Sequence, residues 1–163
     1  MVGRIVRSAD FELVLAQSPR SRSAHFAVHH VAKRPATPSG GTQRAAKHNL
    51  STGDAPSCPP LVDESPVQGW WLGTVVPKRH ARRAVTRNLI KRQMRMVMDA
   101  QAASLSPGLW VLRLKAPFDP ARFVSAASPL LRAAARDELV GLLGAAHGAS
   151  LRTEAASPRR GSR

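Results

Sequence analysis

The sequence predicts a small α+β domain with the element order α-β-β-α-β-α. Three observations support this class. Residues 25–31 and 109–115 are apolar runs of strand length. A third apolar run, 70–76, leads into a segment with helical periodicity, and an Ala- and Leu-rich region follows the last strand. Because 163 residues suit one modest domain with tails, we expect a single domain over residues 1–146, with a tail over 147–163.

The first predicted element is a short helix. Ser8 is a plausible N-cap, and Pro19 ends the segment. Between them, Phe11, Val14 and Leu15 recur at helical spacing and therefore form one packing face.

The second element, 25–31, predicts a strand with two distinct faces. Alternation directs Phe26, Val28 and His30 to one side and His25, Ala27 and His29 to the other. Zinc sites are built from clustered His, Cys and carboxylate ligands. His25 and His29 have no such neighbour in the sequence, so we predict polar strand-face residues and no metal site.

The region from about 33 to 67 differs in composition from the rest of the chain. It is rich in Pro, Ser, Gly, Thr and Ala and has no periodic apolar residues. Such a segment buries too little surface to offset its ordering entropy, so we predict a disordered insert between two strands. The single Cys58 lies within it and cannot form an internal disulfide, which favours a reducing cytoplasm.

The central stretch, 70–98, combines a strand and a two-faced helix. Pro77 cannot donate to a ladder and should end the strand. From about Arg83 the pattern is helical. The predicted apolar side contains Val85, Leu89, Ile90, Met96 and Val97, whereas Arg87, Lys91 and Arg95 fall on one stripe with Asn88 and Arg92 beside it.

The cationic stripe indicates a polyanionic partner. A merely solvated face would carry mixed signs, because like charges four apart destabilise a helix by about 0.2–0.5 kcal/mol per pair. No acidic residue follows Arg83 until Asp99. Arginine binds phosphate through two parallel hydrogen bonds, and the Asn88 amide can contact a phosphate, a 2′-hydroxyl or a base edge. These residues predict a nucleic-acid-binding surface.

The remaining elements complete the predicted sheet and cover it. Ser106, Pro107 and Gly108 form a turn before the strand 109–115. A last helical region, 121–146, is expected to break near Pro129. Its packing residues are Leu130, Leu131, Ala134, Leu139, Leu142 and Leu143. The tail beyond 146 is basic, and we expect it to be disordered.

Charge and composition exclude several classes of function. The formal charge of +15 and the pI of about 11.8 are typical of a protein that binds phosphate backbones. No apolar run approaches the ~20 residues that a membrane span needs, and no apolar signal-peptide core is visible. The sequence offers no carboxylate pair and no nucleophile–base arrangement, so we predict no catalytic residues in the protein itself.

The central motif resembles a known family. Arg87-Asn88-x-x-Lys91-Arg92-x-x-Arg95, entered through 76–79, is similar to the RNR signature of the bacterial ribonuclease P protein component. Ser8-x-Asp10-Phe11 and His25-Phe26-x-Val28 also match patterns of that family. The resemblance covers about 1–31 and 69–135.

The resemblance implies a fold and an activity. The fold would be a small α/β sandwich of the ribosomal protein S5 domain 2-like type, with a left-handed βαβ crossover where right-handed ones are usual. The protein would assist a catalytic RNA that removes the 5′ leader of precursor tRNA in a magnesium-dependent phosphodiester hydrolysis. The RNA would supply the active site and bind most of the Mg²⁺. The partners implied are the catalytic RNA and precursor tRNA.

The resemblance also implies roles for individual residues. Those expected to contact the catalytic RNA are Lys78, Arg79, Arg83, Arg87, Asn88, Lys91, Arg92 and Arg95. A cleft lined by aromatics would bind the leader, with Phe11 matching one ring. Leu15 and His29 stand where other aromatics are expected, and these departures predict a weaker grip, since stacking is worth about 1–3 kcal/mol per base.

Three other functions remain as alternatives. A structural RNA-binding protein of the ribosomal type would share the basic charge and small size without any role in tRNA processing. A DNA-binding regulator would need a helix-turn-helix partner before the basic helix, where the sequence instead has a strand and Pro77. A protein-only nuclease would cleave without the RNA.

Overall fold

The computed structural model describes residues 1–36, 67–125 and 128–155, without the side chains of 150–155. Most of the predicted insert, including Cys58, lies outside these residues. The described chain forms a five-stranded sheet packed between one short helix and two long ones. The strands are β1 (Gly3–Arg4), β2 (Ser21–Arg22), β3 (Phe26–Val31), β4 (Trp70–Val75) and β5 (Gly108–Leu114). The helices are α1 (Ser8–Leu15), α2 (Ala84–Gln101) and α3 (Pro129–Ala155), and a short 3₁₀ turn spans Ala102–Ser104.

The predicted α+β class is confirmed, with two additional strands. The sheet order is β1-β4-β5-β3-β2, in which β1, β4 and β5 are parallel and the pairs β5–β3 and β3–β2 are antiparallel. The extra strands β1 and β2 have only two residues each, too few for a periodic pattern in the sequence. Helix α2 connects the adjacent parallel strands β4 and β5, as a crossover requires, and its left hand stays a prediction.

Alternation along the strands sorts the core into two clusters. One cluster lies under α2 and α3 and contains Phe26, Val28 and Trp110. The other lies under α1, where Val14 and half-buried Phe11 and Leu15 pack against Leu109 and Val111. The sheet is therefore the middle of three layers, and α1 and α2 lie on opposite sides of it.

Several helix bounds differ from the prediction for local physical reasons. Helix α1 begins at Ser8 with Arg7 as its N-cap and no side-chain cap bond, so Ser8 is not the N-cap. Residues 121–125 form turns, and α3 begins at Pro129, whose fixed φ suits a first helical position. Helix α3 also runs to Ala155, so part of the predicted tail, 147–155, is helical.

The two faces of α2 also differ in part from the prediction. Leu89, Ile90 and Val97 are buried as expected, and Gln93, Met94 and Met98 join them. Val85 and Met96, which were predicted on the apolar side, are 55% and 47% exposed. The reason is that α3 packs beside α2 rather than over it, leaving these two side chains at the rim of the space between the helices.

A part-buried polar contact lies near β2, at the edge of the sheet. Arg20 donates to His30 Nδ1, so His30 Nε2 carries the proton and donates to the Pro107 carbonyl at 3.1 Å. The His30 ring also packs on Trp110 with centroids 4.3 Å apart. Burial lowers the pKa of His30, and the charge of Arg20 lowers it further, against the opposing effect of the Pro107 hydrogen bond. The neutral imidazole is the form that fits this site.

This arrangement predicts that stability falls with acidification around His30. The folded-state pKa lies below the unfolded one, so below about pH 6.5 the unfolded state binds a proton that the folded state resists. We expect the melting temperature to fall between pH 7 and pH 5, and to fall less in His30→Gln. Equal losses in the two proteins would contradict the assignment.

Candidate RNA-binding surface

The predicted cations lie on α2 and on the loop before it, and most of them are exposed, so we refer to them together as the cationic face. From Lys78 to Arg95 the chain carries Lys and Arg side chains and no acidic one. Lys78, Arg79 and Arg83 are exposed on the loop that follows β4. On the helix, Asn88, Arg92 and Arg95 are exposed and Arg87 and Lys91 are half-buried. The buried side of α2 fixes this orientation, because Ile90, Met94 and Met98 are fully enclosed by the core.

The charges on this face are not neutralised within the described part of the chain. The ion pair that the structure shows there joins His25 Nδ1 to Glu138 Oε2 at 2.7 Å, distant in sequence from α2. Asp99, the acid nearest along α2, accepts a hydrogen bond from the Val2 amide at 3.1 Å. Among the described residues, Lys91, Arg92 and Arg95 therefore have no acidic partner within ion-pair distance, and their like charges repel one another.

Arg87 has a structural contact that distinguishes it from the other cations. Its Nη1 donates to the carbonyls of Ala81 and Arg82 at 3.1 and 2.7 Å. These bonds tie the start of α2 to the preceding loop, so replacing Arg87 would disturb the loop as well as the charge. We therefore regard Lys91 and Arg95 as the cleaner probes of binding.

A groove beside this face brings the predicted cleft aromatic to the cations. Lys91 and Arg95 line it with Phe11 and with Arg4, and its volume is about 380 Å³. The groove exists because β1 covers only the first part of the β4 edge, pairing with Trp71 and Leu72. Beyond that point the edge of β4 at Gly73 and Thr74 lies open between α1 and α2.

The three predicted cleft residues do not meet in this groove. Phe11 lines it, while Leu15 is half-buried in the cluster under α1. His29 is only 7% exposed, and its Nδ1 lies 2.9 Å from the Gln17 carbonyl. Without a rearrangement, His29 cannot stack on a base. The resemblance to the family had suggested His29 for the cleft, and a position in the sequence does not give the depth of a side chain.

The position of the Phe11 ring depends on Gly73. A Cβ at Gly73 would lie 2.4 Å from Phe11 Cε1, so a larger residue forces the ring out of its seat. Sequence reasoning missed Gly73, as well as Arg4 and Thr74 of the groove. A glycine inside a predicted strand was the available signal.

Comparisons with known proteins identify the family of the chain. The family model described as Ribonuclease P matches residues 2–136. The chain belongs to the ribonuclease P protein family. The resemblance inferred from the RNR motif is thereby confirmed.

Relatives and solved structures of the ribonuclease P family extend the match over most of the chain. The chain is 30% identical over 140 residues to the ribonuclease P protein component of Paraburkholderia xenovorans, covering 86% of this chain and 77% of the relative. It is also 30% identical over 155 residues to that of Burkholderia pseudomallei, covering 95% and 90%. The Staphylococcus aureus RNase P protein structure matches with a TM-score of 0.51 at 17% identity, covering 88% of this chain and 94% of the other, and supports the fold.

Membership of the ribonuclease P family decides between the functions considered from the sequence. The chain is a protein component of the ribonucleoprotein endoribonuclease ribonuclease P, which acts in tRNA 5′ processing. The comparisons give no support to a ribosomal-type structural protein. None of the helices in the part of the chain that the structure describes is long and apolar enough to cross a membrane.

The contact between Gly73 and Phe11 predicts an effect of substitution on stability. Gly73→Ala should destabilise the fold by about 1–3 kcal/mol, because the new methyl overlaps the Phe11 ring. The measurement is chemical unfolding of both proteins.

Gly144→Ala is the matched control, since a Cβ at Gly144 meets no atom within 4 Å. It should stabilise α3 by about 0.5–1 kcal/mol. If Gly73→Ala proved neutral, the seat assigned to Phe11 would be wrong.

Proposed function

We propose that the exposed face of α2 binds the catalytic RNA of ribonuclease P and that the groove beside it receives the 5′ leader of precursor tRNA. One observation carries the proposal. Lys91, Arg92 and Arg95 lie within two turns of α2 and form no ion pair with any described residue. Residues on the loop, Lys78, Arg79 and Arg83, extend the same positive surface.

The protein cations and the RNA phosphates neutralise one another's charge. Crowded like charges destabilise the free protein, and an RNA backbone supplies the phosphates that neutralise them. Release of the counterions condensed on the RNA adds a favourable free energy that falls with added salt. The buried side of α2 keeps the face rigid, so little conformational entropy is lost when the RNA docks.

The groove supplies the two features that single strands require. Phe11 offers a ring on which a base can stack, and Lys91, Arg95 and Arg4 offer charges for the adjacent phosphates. Leu15 contributes apolar packing behind Phe11. Because His29 is enclosed and hydrogen-bonded, we leave it out of the contact surface.

The proposal assigns the hydrolytic chemistry to the RNA. We propose that the Mg²⁺ of the reaction is bound mainly by RNA phosphates, which can supply oxygen ligands. The described residues contain no cluster of three His, Cys, Asp or Glu that could hold a metal ion. The protein's part is to reduce the repulsion between a polyanionic catalyst and a polyanionic substrate. A cytoplasmic site of action fits the lone cysteine of the chain.

Cleavage of precursor tRNA at low magnesium tests the proposal. The RNA subunit should cleave faster with the chain than without it, because the protein's charge replaces part of the screening by Mg²⁺. Lys91→Ala combined with Arg95→Ala should remove most of that gain. Cleavage by the chain in the absence of the RNA would show a protein-only nuclease instead.

The matched control removes the same charge from residues outside α2, its preceding loop and the groove. Arg22 lies on the edge strand β2 and Lys33 follows β3, and both are exposed. Arg22→Ala combined with Lys33→Ala should keep most of the gain. Equal losses in the two double variants would show that only net charge matters, against a defined surface on α2.

A further inference from the structure

A second groove, between α2 and α3, borders the face proposed to bind the catalytic RNA, and the residues that α3 contributes to it have no part in that proposal. We propose that this groove holds an unpaired RNA nucleotide, whose base contacts Met96 and the Gln93 amide and whose phosphates contact Arg132 and Arg136. The inference rests on the proposed RNA-binding function, and it adds a site on the opposite side of α2 from Phe11.

The groove has the size and position of a binding site. Its volume is about 1000 Å³, at the upper end of the range for small-molecule sites (about 300–1,000 Å³). Asn88 and Arg92 of α2 line it, and Arg132 and Arg136 face them from α3. The groove therefore begins where the exposed cationic face of α2 ends, and an RNA bound to that face reaches it directly.

The walls carry exposed apolar side chains in a surface that is otherwise cationic. Val85, Met96 and Val140 are 55%, 47% and 42% exposed, and all three line the groove. Exposing such side chains to water costs free energy. A flat aromatic ring that covers them buries apolar surface and therefore binds favourably. A methionine thioether also makes favourable contacts with aromatic rings. An unstacked base is an aromatic ring of the kind that RNA presents at loops and bulges.

A buried amide at the floor of the groove lacks a strong partner. Gln93 is 3% exposed and lines the groove. The hydrogen bond that the structure gives its side chain runs from Nε2 to Met96 Sδ at 4.0 Å, and a thioether is a weak acceptor. A buried amide is costly unless it is well hydrogen-bonded. A carboxamide matches the donor and acceptor pattern of a base edge, so a base at Met96 would satisfy it.

The charge of the groove favours RNA over a peptide. Arg92, Arg132 and Arg136 contribute three positive charges against the single acid Asp137. Arg132 and Arg136 are four residues apart on α3 and exposed, so both face the same segment of a ligand. Arginine pairs along one helix suit consecutive phosphates, whereas an ordinary peptide would leave most of this charge unpaired.

The test uses two variants that remove different parts of the site. Gln93→Leu keeps the volume of the side chain and removes the amide. Arg132→Ala combined with Arg136→Ala removes two exposed charges and keeps good helix formers. Arg22→Ala combined with Lys33→Ala is the control for charge. Melting temperatures of the free proteins establish that each variant is folded.

Binding is measured in two arms that separate the sources of the nucleotide. One arm measures affinity for the catalytic RNA alone, and the other measures affinity of the assembled holoenzyme for precursor tRNA. Both groove variants should bind about tenfold more weakly in the arm whose RNA supplies the nucleotide, which corresponds to about 1.4 kcal/mol. A loss in the first arm identifies the catalytic RNA as the source, and a loss in the second identifies precursor tRNA. The salt dependence should be unchanged in Gln93→Leu and weaker in the double arginine variant.

Wild-type-like affinity of the double arginine variant in both arms would overturn the inference. The proposed function is tested separately by Lys91→Ala with Arg95→Ala, because those residues line the other groove. If Lys91→Ala with Arg95→Ala weakened binding while the groove variants bound like the wild type, only the inference would be wrong. If neither set of variants weakened binding, the proposed function would be wrong. Sedimentation of Val140→Glu is a further check. If the wild-type chain self-associated and Val140→Glu did not, a second copy of the chain would occupy the groove, and the proposed nucleotide site would be wrong.

Discussion

The structure depends on the burial of one side of α2. Ile90, Met94 and Met98 are fully enclosed between the sheet and α3, and this packing fixes the rotation of the helix about its axis. Once that rotation is fixed, the opposite side must face solvent, together with every cation on it. The unfavourable repulsion on the outside is therefore supported by hydrophobic burial on the inside. A bound polyanion neutralises these charges and so removes the repulsion between them.

The layers on either side of α2 turn one charged face into three distinct surfaces. Toward β4 the short strand β1 leaves an open edge, and Phe11 lies beside Lys91 and Arg95. Toward α3 the space is wider, and Gln93 and Met96 lie near Arg132 and Arg136. Between them lies the exposed side of α2, with Asn88, Arg92 and Arg95. A folded RNA with a single-stranded substrate presents both phosphates and unstacked bases. The exposed side of α2 suits phosphates, whereas each groove also offers side chains for a base.

The sequence was sufficient for the class of fold and for the cationic face. Strand alternation placed Phe26 and Val28 opposite His29, and the helical period placed Lys91 and Arg95 on one stripe. It was insufficient where the outcome depends on depth or on a neighbouring element. His29 is enclosed because the chain after α1 places the Gln17 carbonyl against it, and Val85 and Met96 are exposed because α3 lies beside α2. Arg132 and Arg136 stood four apart in the sequence, yet only the packing of α3 shows that they face α2.

The salt dependence of binding to the catalytic RNA tests the central claim most directly. Affinity is measured over a range of salt concentrations for the wild-type chain and for Lys91→Ala combined with Arg95→Ala. If the face of α2 is neutralised by phosphates, the slope of log K against log salt should become shallower by about two units, roughly one for each lost contact. Parallel lines for the two proteins would contradict the account, because they would show that these exposed charges meet no phosphate.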